Sequence, residues 1–234
     1  MPLETARAEF ISNVSHELRS PLTGILGYVE LLEDETSPLD DEQRQMLEVI
    51  DRSAHRLLAL VEDLLTISRI EAGNFPLTMS RIELNTVIER AADMFLPIVE
   101  RRGLTLTTTV ESGLEFDADP VQLERVVANL LSNSVKFTDA GGQIEVVGRR
   151  DGGDAVISVR DTGIGVPLAE QHNLFTRFFR SSLSQQGATQ GTGLGLFIVK
   201  QIVDGHGGTV EATSKPGEGT TITVRLPLAV REGP

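Results

Sequence analysis

Cysteine and tryptophan are absent from this chain of 234 residues, and tyrosine occurs once. Without cysteine there are neither disulfides nor thiolate metal sites, so redox chemistry at thiols is excluded and a reducing compartment fits. No apolar run approaches the roughly 18 residues that a membrane span needs, and the N-terminus lacks the basic-then-apolar order of a signal peptide. No membrane contact is expected within this segment, and an anchor of any parent protein is expected to lie outside this sequence. Positive charge is short as well, with 21 Lys and Arg against 34 Asp and Glu, a net charge of -13. The acids are spread along the chain as a solvated surface, which argues against nucleic acid or an anionic membrane as partner. Beyond His16, the histidines are His55, His172 and His206. Their spacing matches no zinc motif, and each reads as structural or surface.

The length accommodates a small helical unit followed by a domain of ordinary size. From Leu3 to about Ile70 the pattern is helical, interrupted by the turn-like Asp34-Glu35-Thr36-Ser37-Pro38, which predicts a helical hairpin. Leu47, Ile50, Ala54, Leu57, Val61 and Leu64 alternate spacings of three and four as a heptad seam, and Leu58 and Leu65 widen it. Two helices alone cannot bury such stripes, so a second copy of the hairpin is expected, giving a four-helix bundle at a homodimer axis. Ala72-Gly73-Asn74-Phe75-Pro76 ends the second helix and reads as a linker. The expected domains are therefore 1–74 and 75–234. In the second, a helix is expected near Leu84 to Glu100 and others at Pro120 to Phe137 and Leu194 to Asp204. They are interleaved with β-type runs at 104–110, 143–150, 155–160, 209–213 and 220–226, which predicts an α+β sandwich with a mixed or mostly antiparallel sheet.

Four local patterns carry chemistry. On the first helix, Val14, Leu18, Pro21, Ile25 and Leu32 fall in one arc at about 100° per residue, and His16 lies roughly opposite it, facing solvent. Imidazole can act as a nucleophile through one ring nitrogen while an acceptor holds the other, and Glu17 is a carboxylate within reach. On the helix opened by Asp119-Pro120, Asn129, Asn133 and Lys136 share one face. Asparagine is a poor helix-interior residue, so two of them aligned with a lysine suggest hard oxygen ligands for Mg²⁺ beside a phosphate contact. After a β-type run comes Asp161-Thr162-Gly163-Ile164-Gly165, where the carboxylate can accept the exocyclic amine of adenine and the glycines permit close backbone approach. Last, Gly191-Thr192-Gly193-Leu194-Gly195-Leu196 opens a helix and offers backbone N–H groups to phosphates. The long stretch between Asp161 and Gly191, polar in its second half where Ser181 to Gln190 is the one low-complexity segment, reads as a mobile lid over a nucleotide.

In this order the segments resemble the boxes of sensor histidine kinases. The H box is Phe10-Ile-Ser-Asn-Val-Ser-His16-Glu-Leu-Arg-Ser-Pro21-Leu-Thr, and the N box is Asn129-Leu-Leu-Ser-Asn133-Ser-Val-Lys136-Phe-Thr. The G1 box is Asp161-Thr-Gly-Ile-Gly165, the F box Leu174-Phe-Thr-Arg177-Phe-Phe-Arg180, and the G2 box Gly191-Thr-Gly-Leu-Gly-Leu196. The resemblance covers nearly the whole chain. It implies a dimerisation and phosphotransfer hairpin followed by a GHKL (Bergerat-type) ATP-binding domain. It implies that ATP with Mg²⁺ phosphorylates His16, assisted by Glu17, and that phosphoryl then passes to an aspartate on the receiver domain of a separate response regulator.

By the same resemblance Asn133 is the principal Mg²⁺ ligand, Asn129 contacts phosphate or the metal's shell, Lys136 contacts phosphate, and Asp161, with Gly163 and Gly165, receives adenine. Arg180 reaches the phosphates, and Gly191, Thr192, Gly193, Leu194 and Gly195 line the lid. Ser20 stands where many members carry Thr or Asn to position a dephosphorylating water, and it keeps a hydroxyl there. A cytoplasmic location is implied, including the cytoplasmic part of a membrane-bound sensor. Two other classes compete: a GHKL clamp ATPase, for which Glu124 is poorly placed and the H box unexplained, and a non-catalytic nucleotide-sensing scaffold, against which the intact Asn133, Asp161 and glycines argue.

Overall fold

The computed structural model describes residues 22–27, 29, 40–73, 75–186 and 192–228. His16, Glu17, Ser20 and Gly191, the turn expected at 34–38 and much of the expected first helix lie outside them. The chain divides into two compact units, Met1–Phe75 and Pro76–Pro234.

In the first unit, residues 22–27 are helical and the long helix α1 runs over Asp41–Glu71. Its start follows from a capping box: the Asp40 carboxylate accepts the Gln43 N–H at 2.8 Å, and the Gln43 side chain accepts the Asp40 N–H at 3.0 Å. Its end is Ala72, with Gly73 beyond it at φ +67, the left-handed position that glycine fills at least cost. The expected seam splits in two. Leu47, Ala54, Val61 and Leu65 are buried, whereas Ile50, Leu57 and Leu64 stay 45%, 43% and 37% exposed. Those three repeat every seven residues and form a second apolar stripe on α1.

The second unit begins with β1 (Ser80–Glu83), which pairs antiparallel with β3 (Glu115–Ala118) as a small sheet. Between them lie α2 (Leu84–Arg101) and β2 (Thr105–Val110). There follow α3 (Pro120–Phe137), β4 (Gln143–Asp151), β5 (Asp154–Asp161), a 3-10 helix at Leu168–Asn173, the short α4 (Ser182–Gln186), α5 (Gly195–Gly205), β6 (Thr209–Lys215) and β7 (Gly219–Pro227). The main sheet has the order β2-β4-β5-β7-β6, with β2 parallel to β4 and every other pair antiparallel. Alternate residues of its strands, Ile144 and Val146, Ile157 and Val159, Ile222 and Val224, are buried, and α2, α3 and α5 pack on the sheet. Each such side chain stabilises the fold by roughly 1.5–3 kcal/mol. Gly148 lets α2 approach closely: a Cβ there would sit 3.0 Å from a Leu84 methyl. This is an α+β sandwich with a mixed sheet.

The ends of α3 and α5 are tied across 87 positions. Asp119 caps α3 by accepting the Val121 and Gln122 N–H groups at 3.0 Å, and its own N–H donates to His206 Nε2 at 3.0 Å. His206 Nδ1 lies 2.7 Å from the Ile202 carbonyl, so both ring nitrogens are engaged by backbone groups. His206 is thus structural and buried.

Candidate functional site

Asp161 is the last residue of β5, and its place there brings four segments together. The carboxylate is buried, with Oδ1 accepting the N–H of Gly163 at 2.9 Å and of Thr220 at 3.2 Å. Oδ2 accepts the Ser134 hydroxyl at 3.2 Å. A carboxylate offers about four acceptor directions, so one on Oδ2 remains for a ligand's donor. Burial raises the proton affinity of Asp161 above that of an ordinary carboxyl, and the Gly163, Thr220 and Ser134 donors act in the opposite sense.

The glycines beside it stand where side chains do not fit. A Cβ on Gly163 would lie 2.4 Å from the Phe137 carbonyl oxygen, and one on Gly165, at φ +68, would lie 2.1 Å from that of Lys215. The first packs the turn on the end of α3, where the Ile164 N–H also donates to the Phe137 carbonyl at 3.1 Å. The second packs it on the β6–β7 hairpin. Ser214 fastens the same junction: its Oγ accepts the Val166 N–H and donates to the Gly219 carbonyl, each at 2.8 Å.

Asn129, Asn133 and Lys136 follow one another along α3, all half-buried. The Asn129 amide oxygen lies only 2.9 Å from where a Cβ on Gly195 would be, so the face of α3 that carries the asparagines abuts the first residue of α5. No side chain caps that helix start. The Leu194 N–H turns back to the Thr192 hydroxyl at 3.1 Å, which shapes the loop before it. Lys136 Nζ sits 4.9 Å from the Phe137 ring centroid. Among the described residues no group of three or more His, Cys, Asp or Glu could hold a metal ion. The amide oxygens of Asn129 and Asn133 are hard oxygen donors of the kind a divalent cation takes.

The F box covers the other side of the second glycine loop. Gly193, at φ +72, has no room for a Cβ, which would stand 2.7 Å from the Phe179 carbonyl oxygen. Phe178 is itself at φ +59, a strained position for a bulky residue, with its ring exposed. The Arg177 guanidinium lies 4.6 Å from the Phe197 ring of α5. Arg180, expected at the phosphates, donates to the Ser184 carbonyl at 3.1 Å, within the segment read as a lid. Part of that segment forms α4, whose first N–H (Ser182) donates to Glu170 at 2.9 Å.

The structure thus joins N box to G1 through Ser134 and Asp161, N box to G2 through Asn129 and Gly195, and F box to G2 through Phe178 and Gly193. Sequence reasoning missed Ser134, Thr220 and the hairpin Ser214–Thr220. Gly217-Glu218-Gly219 between two β-type runs was the available turn signal for the hairpin. Nothing in the sequence signals the Ser134 bond.

Residues 6–73 match the His Kinase A (phospho-acceptor) domain, and residues 118–230 match the family of histidine kinase-, DNA gyrase B- and HSP90-like ATPases. The circadian input-output histidine kinase CikA of Synechococcus elongatus is 39% identical over 95% of this chain and 30% of its own length. The sensor histidine kinase RcsC of Escherichia coli is 36% identical over 95% of this chain and 23% of its own length, so the chain spans less than a third of these relatives. Among solved structures, full-length ShkA in complex with AMPPNP superposes with a TM-score of 0.78 at 31% identity, covering 96% of this chain and 47% of that one. The mycobacterial sensor histidine kinase MprB covers 66% of this chain over its full length, 100%, with 32% identity and a TM-score of 0.55. With a phospho-acceptor domain match followed by an ATPase-type domain match, and with sensor histidine kinases among its relatives and structural neighbours, the chain belongs to the sensor histidine kinases.

Proposed function

We propose that this chain is the catalytic core of a protein histidine kinase, which moves the γ-phosphoryl group of Mg-ATP onto His16 and then to an aspartate of a separate response regulator. Residues 1–74 act as the dimerisation and phosphotransfer hairpin, and residues 75–234 as the catalytic domain. The observation that carries the reading is the Asp161 socket. A buried carboxylate with three protein donors and one remaining acceptor direction suits the exocyclic amine of adenine, and the glycine turns beside it are packed on the end of α3 and on the β6–β7 hairpin, which holds the carboxylate in place.

Phosphoryl transfer asks a protein mainly for positioning and charge neutralisation. In this reading Asn133 and Asn129 hold Mg²⁺, which supplies neutralisation of the phosphate charge. Lys136 and Arg180 contact phosphate oxygens, and the backbone of Thr192, Gly193, Leu194 and Gly195, with Gly191, cradles them at the start of α5. Glu17 orients or deprotonates the His16 imidazole, and Ser20 holds the water that later removes phosphate from the regulator. The homodimer reading is supported by the exposed stripe of Ile50, Leu57 and Leu64 on α1, which a second hairpin would cover. No helix among the described residues is long and apolar enough to cross a membrane. The need for ATP places this segment on the cytoplasmic side.

Titrating Mg-ATP against the wild type and Asp161→Asn tests the nucleotide site. The amide puts a donor where an acceptor is needed, so affinity should fall about 100-fold or more. Equal affinities would overturn the assignment of Asp161 and with it the orientation of the nucleotide.

A further inference from the structure

Ser134 lies near the end of α3, is 3% exposed, and has one hydroxyl proton to give. A helical serine ordinarily gives it to the carbonyl one turn back. Here the proton goes to Asp161 Oδ2 instead, 27 positions along the chain. We infer that Ser134 is a positioning residue for nucleotide recognition: its hydroxyl fills one direction on Oδ2 and so fixes the carboxylate with its remaining acceptor direction towards the base. The inference rests on the reading of Asp161 as the acceptor for adenine.

The same bond acts on protonation. Asp161 is faced by the Gly163 N–H of its own turn, the Thr220 N–H of β7, the Ser134 hydroxyl of α3 and the apolar Ile144 opposite it on β4. No charged side chain contributes to its shift: burial raises the proton affinity, and these three donors oppose the rise. Two of the donors are backbone groups and survive any substitution. Ser134 is the side-chain donor, and deleting it lets burial act with less opposition, so the carboxyl holds its proton to higher pH. A protonated carboxyl presents a donor on one oxygen, and the acceptor for the amine is lost.

The test is Mg-ATP affinity of the wild type, Ser134→Ala and Ser134→Thr, measured by calorimetry from neutral pH downward. The ratio of variant to wild-type dissociation constants cancels the titration of the nucleotide's own phosphates. For Ser134→Ala the ratio should be about 5 at neutral pH and climb severalfold as pH falls. Ser134→Thr keeps the hydroxyl and adds a buried methyl, so its melting temperature drops while its ratio stays flat. A ratio for Ser134→Ala that does not change with pH, with the wild type binding normally, overturns the inference and leaves the nucleotide site standing. Failure of the wild type to bind Mg-ATP would instead remove the parent reading, and this inference with it.

Discussion

The floor and the cover of the nucleotide site are built differently. The floor is the end of β5, the last turn of α3 and the β6–β7 hairpin. Its polar groups are paired over long sequence separations, as in Thr220 to Asp161 and Val166 to Ser214. Its glycines stand against backbone atoms. The cover is the F box, α4 and the start of α5. There most bonds are local, as in Arg180 to Ser184 and Gln185 to Arg180, with Ser182 to Glu170 reaching 12 positions, the Phe178 ring is exposed, and Phe178 and Gly193 hold left-handed backbones. A floor held by non-local bonds keeps one arrangement whether or not a ligand is present. A cover held by local bonds can exchange them for contacts to phosphate at small cost. In the proposed reading, selection of the base falls to the floor and closure over the phosphates to the cover.

This contrast can be broken most severely at Gly165. An alanine there combines a left-handed backbone with a Cβ driven into the Lys215 carbonyl, and should cost about 3 kcal/mol or more. The expected result is a melting temperature lowered by many degrees together with loss of ATP binding. Retention of both would show that the floor is as pliable as the cover.

The pH dependence of Asp161 sharpens the comparison without a mutation. Its proton affinity is raised on folding. Its linkage contribution to stability is therefore fully present below the unfolded-state value and lost as pH rises through the raised native one. Nucleotide binding needs the ionised carboxylate and changes the opposite way, weakening as pH falls through the same window. Calorimetric unfolding and binding over that window should show these opposing trends, and binding that strengthens toward acid would contradict the role of Asp161.

The smallest effect on stability is expected at Arg180. Its alanine variant loses the local bond to the Ser184 carbonyl and should lower the melting temperature far less than Gly165→Ala does. Its rate of phosphoryl transfer should fall about 10-fold, because a cation near the transferring group is lost. A large drop in stability with an unchanged rate would make Arg180 part of the scaffold.

Long periodic elements were legible in the sequence. The stripes of α1 and α3, the Asp119-Pro120 start and the five main-sheet strands came from period and capping alone, because each is written in consecutive residues. β1 and β3 were not, since four-residue strands have too few alternations to stand out from loop. The split of the α1 seam into a buried and an exposed stripe was not either. The pattern marks residues as apolar without saying which partner covers them. At the site, the residues in consecutive motifs were named in advance. Ser134 and Thr220 were missed because their meaning comes from a carboxylate 27 and 59 positions away. His206, read as structural or surface from its isolation, is structural for the same kind of reason, an 87-residue bridge that no local spacing announces.

The most direct measurement is incubation with γ-labelled Mg-ATP, comparing the wild type with His16→Gln and testing the label for acid lability and base stability. The account predicts a phosphohistidine-type label on the wild type and none on the variant, with ATP affinity equal in the two. Label persisting on His16→Gln, or no label on a wild type that binds ATP tightly, would contradict it.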